Sequence, residues 1–286
     1  MIRSGYIQGF GTLGICSLLA ALSAACGTSA AGTGTGGSTT QGTGGSSTSS
    51  SSTTTTSSSG TGGGTDGGSG TDFYAVLIRG TFKSADVTTD QTQHDMLASM
   101  GEAPAKMLGD TGHHPFLGTT LLGTVQNQFM DIDTWSNTAG LDSFYQNPQF
   151  ATAFGALFSA PPDVQQFDHQ PGWHGWGDLT SGKAYNPYFF VIVRGTLQEA
   201  DPVKAQAAHD AVATAAQAMT QAAGDVAHVV FTGRTDPTQF LSVDIWKASD
   251  NITAVYTNPQ LQTAFGTVFS GAPTLGVYQS TSWVQW

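Results

Sequence analysis

Titratable side chains recur in this chain at matched places: His94 and His209, His113 and His228, Asp110 and Asp225, Asp133 and Asp244. Imidazole can serve as a general base near neutral pH. Two histidines with an aspartate can also hold a metal ion. Competing roles stay open. Asp110 and Asp225 follow glycine where a helix should end, a place where turn roles are common. His94 and His209 fall mid-helix, flanking an apolar stripe, so structural hydrogen bonding competes with catalysis. The catalytic candidates are His94, His209, Asp133 and Asp244, and no metal or cofactor is assigned. His114, His169 and His174 have no counterpart in the second half. No G-x-S-x-G, phosphate loop, dinucleotide fingerprint or haem-attachment pair occurs.

The matching comes from an internal repeat. "YQNPQFATAFGALF" at 145–158 returns as "YTNPQLQTAFGTVF" at 256–269. Arg79–Gly118 aligns without gaps to Arg194–Gly233, and "RGTFKSAD" matches "RGTLQEAD". Further on, Asp133, Trp135, Tyr145 and Phe158 fall on Asp244, Trp246, Tyr256 and Phe269, and Trp173 and Trp176 on Trp283 and Trp286. A repeat of this length means two structural units, placed at 72–178 and 186–286 with a linker at 179–185.

Each unit reads as strand, helix, strand, strand, helix, strand. "FYAVLIRG" and "YFFVIVRG" are first strands, apolar on both faces and so buried on both. The long helix of the second unit starts at Asp201-Pro202, with the aspartate capping and proline at the first position. Its expected core stripe is Ala205, Ala208, Val212, Ala216, Met219 and Ala223. Asn147-Pro148 and Asn258-Pro259 restart a second helix, with Phe154/Phe158 and Phe265/Phe269 four apart on one face. Gly155 and Gly266 each cost about 1 kcal/mol of helix propensity relative to Ala, which points to close packing there. A last strand runs to the W-x-x-W.

Strand three has a period of two. One face carries Met130, Ile132 and Thr134, and is expected to meet the helices. The other carries Phe129, Asp131, Asp133 and Trp135, repeated as Phe240, Ser242, Asp244 and Trp246. That face is expected to line a space between two sheets, where an apolar cavity with a few carboxylates makes a small-molecule site. The ligand-binding candidates are Asp133, Trp135, Asp244, Trp246, Arg79, Arg194, His113 and His228. An alternative has Arg79 and Arg194 paired with Asp133 and Asp244 as buried ion pairs, with the tryptophans filling the core.

The "YxNPQxxTAFGxxF" signature and the Trp-rich end resemble the dimeric α/β-barrel superfamily, nearest its antibiotic-biosynthesis-monooxygenase-like (ABM-like) small proteins. The resemblance covers 72–286. It implies an α+β fold of two tandem ferredoxin-like β-α-β-β-α-β units closing one barrel within the chain, a monomeric pseudo-dimer. It also implies a cofactor-independent enzyme acting on a hydrophobic small molecule. The alternative is a non-catalytic lipoprotein that binds a ligand or partner.

The first 25 residues read as a signal peptide, with Arg3 ahead of the apolar run "ICSLLAALSAA". Ser23, Ala24 and Ala25 before Cys26 resemble a bacterial lipobox, although Ser23 stands where leucine is usual. That resemblance implies lipidation of Cys26 and a protein anchored in the bacterial cell envelope, periplasmic or on the cell surface. Residues 26–71 are almost wholly Gly, Ser, Thr and Ala, the composition of a disordered tether. With Cys16 removed and Cys26 lipidated, no thiol remains for disulfides or thiolate chemistry. The net charge of −11 and the lack of Lys/Arg clusters argue against nucleic acid as a partner.

Overall fold

The computed structural model describes residues 73–179 and 188–286. The signal segment, the tether, Cys26 and nearly all of the expected linker lie outside the described residues.

The first half contains β1 (Tyr74–Thr81), α1 (Val87–Leu108), β2 (Asp110–Gly118), β3 (Gln128–Trp135), α2 (Thr138–Tyr145), α3 (Pro148–Gly155) and β4 (Asp163–His169). The second repeats that order as β5 (Phe189–Thr196), α4 (Pro202–Ala223), β6 (Asp225–Gly233), β7 (Gln239–Trp246), α5 (Ile252–Tyr256), α6 (Pro259–Val268) and β8 (Thr274–Ser280). Local chemistry sets the boundaries. Asp86 and Asp201 cap the long helices, accepting from Thr88 N at 3.1 Å and Val203 N at 3.0 Å. Gly109 and Gly224 end them in the left-handed region at φ 104° and 115°, where a Cβ would be strained. Among the described residues no helix is long and apolar enough to cross a membrane.

The eight strands close an antiparallel barrel in the order β1-β3-β2-β8-β5-β7-β6-β4. The last strand of each half joins the halves: β4 pairs with both β1 and β6, and β8 with both β5 and β2.

The barrel interior reverses the expected faces of strand three. Met130, Ile132, Leu241, Val243 and Ile245 point inward and pack with Leu77, Phe116, Phe190, Ile192 and Phe231 from both halves. Phe129 and Trp135 point outward and pack under the helices with Phe144, Phe154 and Phe158. Asp131 and Asp133 share that outward face by strand alternation. The barrel interior is thus mainly hydrocarbon, with His114 and Arg79 on the same inward face, and Asp131, Asp133 and Asp244 lie between sheet and helices. Alternation sorts residues into two sets but does not say which set faces in.

Three further expectations fail for local reasons. The buried line on α4 runs through Ala205, His209, Ala213 and Thr220, while Met219 is exposed. The expected stripe was rotated away from the histidine. Phe158 and Phe269 lie beyond their helices and bridge back to Phe82 and Leu197. They cover Gly80 and Gly195, where a Cβ would strike the ring. The W-x-x-W motifs follow the end strands as loops instead of ending them.

Candidate functional site

Each half places one titratable cluster between its long helix and the outer sheet face. In the second half, Asp244 on β7 sits opposite His228 on β6. His228 Nδ1 bonds Asp244 Oδ1, and Tyr256 donates its hydroxyl to Asp244 Oδ2 at 2.6 Å. His228 Nε2 faces Nε2 of His209, on α4, at 3.1 Å with the rings nearly parallel. His209 Nδ1 lies 3.0 Å from Asp210 Oδ1. Carboxylates only accept, so both Nδ1 atoms donate, and one Nε2 must donate to the other. Two rings then share three N–H groups, leaving one transferable proton. Burial holds His209 below the ordinary histidine pKa, against the opposing bond to Asp210.

The first half builds the same chain. His113 Nδ1 lies 2.7 Å from Asp133 Oδ1, Tyr145 donates to Asp133 Oδ2, and His113 Nε2 is 3.2 Å from His94 Nε2. Burial, then the charge on His113, pushes His94 down to about 4. Burial would also lower His113, but the Asp131 and Asp133 carboxylates override it and hold that group well above 6.5. Burial, then the carboxylate charges, raises Tyr145 and Tyr256 well above 10, so both remain donors.

The covers cross between halves. Trp176, from the first half, stacks on His228 at 4.8 Å, and Trp286, from the second, stacks on His113 at 4.5 Å. Asp210 and Asp95 hold these loops through the backbone N–H of His174 (2.7 Å) and Val284 (2.8 Å). In each His-Asp pair, therefore, the histidine enters the pocket and the aspartate fastens the lid of the other half. Asp110 and Asp225 carry out the turn role, accepting from Gly112 N at 2.9 Å and Ala227 N at 3.2 Å at a bulge. Burial, then the nearby Asp133 or Asp244, raises each carboxyl to about 8.

The second-half cavity is about 60 Å³, with His209, His228, Asp244 and Tyr256 in walls of Val212, Leu261 and Phe265 among others. The first-half cavity is about 20 Å³. Phe150, Leu97 and Ile78 stand where the second half has Leu261, Val212 and Val193.

Of the sequence candidates, His94, His113 and Asp133 meet in one cluster and His209, His228 and Asp244 in the other. Trp135 and Trp246 are fully buried beneath the helices. Arg79 and Arg194 are elsewhere, at the barrel mouth. Arg79 pairs with Asp163 at 2.6 Å, and Arg194 bonds Asp163 at 3.2 Å and Gln165. The alternative ion pairs with Asp133 and Asp244 are therefore absent: Arg79 shares the inward face with Leu77, and the aspartates point outward. Sequence reasoning missed Tyr145/Tyr256, Asp95/Asp210 and the lid role of Trp176/Trp286. All are matched between halves, and that matching was the available signal. It also gave no role to Asp131, which it placed on the same strand face as Asp133 but which has no match in the second half.

No protein-family model matches the sequence, and no curated protein matches it. Solved structures do match. An anthrone oxidase-like protein aligns at 16% identity over 76% of this chain and 94% of its own, with a TM-score of 0.54. A "putative monooxygenase" from Fusobacterium nucleatum subsp. nucleatum aligns at 7% identity over 75% and 97%, TM-score 0.52. A "putative chlorite dismutase" aligns at 8% over 74% and 96%, TM-score 0.50. The chain has the fold of these proteins. It is an α+β fold around an eight-strand antiparallel barrel of the dimeric α/β-barrel kind, with monooxygenase-like proteins among its structural neighbours.

Proposed function

We propose that this chain is an envelope-anchored lipoprotein, tethered through Cys26, whose second-half pocket is the active site of an enzyme that needs no redox cofactor. Its two halves are tandem ferredoxin-like copies that close an intrachain pseudo-dimer. The substrate is a small, largely apolar molecule bearing an acidic C–H or O–H. One observation carries the reading: a proton-sharing Asp–His–His–Asp chain places both of its imidazoles on the wall of an apolar cavity. His228 and His209 exchange the proton, and Asp244 with Tyr256 fixes the orientation of His228. Such a positioned acid–base pair contributes typically 10²–10⁴-fold to a rate. A cavity of about 60 Å³ holds only part of an aromatic substrate, so the Trp176 loop must move to admit one.

The oxidase-like neighbour suggests the chemistry to try. With the shared proton gone and both Nε2 atoms bare, the histidine pair removes a proton from a methylene activated by a carbonyl and holds it as the third N–H between His228 and His209, while dioxygen oxidises the carbanion. The balance is R₂CH₂ + O₂ → R₂C=O + H₂O. The test is oxygen uptake by the full chain with an anthrone as the probe. Turnover should fall at least tenfold in both His228→Ala and His209→Ala. An anthrone that raises the melting temperature but is never oxidised would instead identify a non-catalytic binding protein. Turnover unchanged in both variants would overturn the assignment.

A further inference from the structure

The two clusters differ by one buried carboxylate. Asp131 stands in β3 where β7 has Ser242, and it faces the same pocket as Asp133. We propose that His113 Nδ1, Asp131 and Asp133 bind one divalent transition-metal cation, of the zinc type, in the first half only.

The three side chains are all buried, and their ligand atoms lie within 4.8 Å of one another. Asp131 is 1% exposed, and neither of its oxygens makes a hydrogen bond. Its Oδ2 faces His113 Nδ1 at 3.0 Å. That single N–H already serves Asp133 at 2.7 Å. A buried carboxylate without a hydrogen bond is costly, and a bound cation satisfies it. Little movement is needed: ligands at about 2.0–2.2 Å around a tetrahedral zinc stand roughly 3.4 Å apart. One imidazole nitrogen and two carboxylates suit zinc, manganese or ferrous iron, and three protein ligands leave a fourth position open.

The surroundings have the arrangement that a metal-binding histidine requires. His94 Nδ1 lies 3.0 Å from Asp95 Oδ1, which can only accept, so His94 donates there. Its bare Nε2 then accepts from His113 Nε2–H. This fixes the tautomer and leaves the Nδ1 lone pair for the metal once the cation displaces the Nδ1 proton. Tyr145 holds the second oxygen of Asp133. Trp286 closes the site, stacked on His113 and joined to it by two backbone hydrogen bonds of 3.1 and 3.3 Å. In the second half Ser242 offers only a neutral hydroxyl, 3.4 Å from Asp244 Oδ2. The acid–base reading of that half does not depend on this proposal.

The test counts zinc on the full chain. Protein is stripped with chelator, equilibrated with Zn²⁺, passed through gel filtration and analysed by mass spectrometry of the metal. Wild type should retain one zinc per chain and Asp131→Ser none, with Ser242→Asp gaining a second. Zinc should raise the melting temperature of wild type but not of Asp131→Ser. Equal retention by wild type and Asp131→Ser, or none by wild type, would overturn the site. Should Asp131→Ser not fold, Asp131→Asn takes its place. Should neither fold, a Ser242→Asp count no higher than wild type overturns it.

Discussion

The two clusters share a plan and differ in the space around it. Both chain a capped histidine on the long helix to a histidine on the second strand, then to an aspartate and a tyrosine. In the first half Phe150 and an extra carboxylate fill what the second half leaves open with Leu261 and Ser242. One scaffold has thus been tuned towards a charged, closed site and towards a neutral, roomier one. The polar chain itself is no discriminator, because both halves keep it.

The largest effect should come from removing the comparison altogether. Residues 72–178 alone lack β6 and β8, which pair with β4 and β2, and lose the Trp286 cover. The fragment should fail to sediment as a folded monomer at micromolar concentration, and it should either aggregate or form a dimer. A cooperative monomeric melt would show that each half is self-sufficient.

Next come the two aspartates at matched positions. Asp244→Asn leaves His228 and Tyr256 without their shared carboxylate. Losing one partner of a buried hydrogen-bonded pair costs about 1–3 kcal/mol. Asp133→Asn should cost clearly less, since Asp131 Oδ2 already lies 3.0 Å from His113 Nδ1 and takes over. Chemical denaturation of the two variants decides it. Equal losses would mean that Asp131 gives no support.

Those two aspartates also show what was legible in the sequence. The repeat, the element order and the candidacy of His113, His228, Asp133 and Asp244 could be read, because each residue had a partner in the other half, but their pairing could not, and the arginine partners considered for the aspartates bond Asp163 instead. The face of β3 could not be read either. Both of its faces carry large apolar side chains, so burial does not distinguish them, and only the packing of Phe129 and Trp135 under the helices shows the direction. Nor could the exchange of lids. The tryptophans of Trp173–Trp176 and Trp283–Trp286 match in sequence, yet matching does not reveal that each pair crosses to the other half. Asp131 falls on the same face as Asp133, but with no counterpart in the other half nothing singles it out as a site residue.

Leu261→Phe writes the first half's residue into the second. Overpacking costs about 1–3 kcal/mol, and the cavity of about 60 Å³ should shrink towards the first half's 20 Å³. Turnover or ligand binding should drop at least tenfold, while Phe150→Leu leaves it unchanged. If activity follows Phe150 instead, the working pocket is in the first half.

Asp110 and Asp225 should agree in their pH response. Asp110 and Asp225 are both raised to about 8 from 3.8. A raised folded pKa favours the folded state only while the group is protonated. This contribution is complete below about pH 4 and is lost as pH rises through 8. Melting temperature should therefore fall across that window. Asp225→Asn and Asp110→Asn should each flatten the slope by a similar amount, and both together should flatten it most. A slope untouched by either variant would assign the effect to other groups.

The smallest effect concerns the glycines at matched helix positions. Close packing was expected at both, but a Cβ added at Gly155 or Gly266 meets nothing within 4 Å, and neither has a positive φ. The propensity cost is then removable. Gly266 lies inside α6, where alanine should stabilise by up to about 1 kcal/mol. Gly155 is the last residue of α3, where helix ends fray and the gain should be smaller. Denaturation midpoints should therefore rank Gly266→Ala above Gly155→Ala above wild type. A loss at Gly266 would mean that the helix approaches something there, such as a substrate entering over Phe265, which lines the larger cavity.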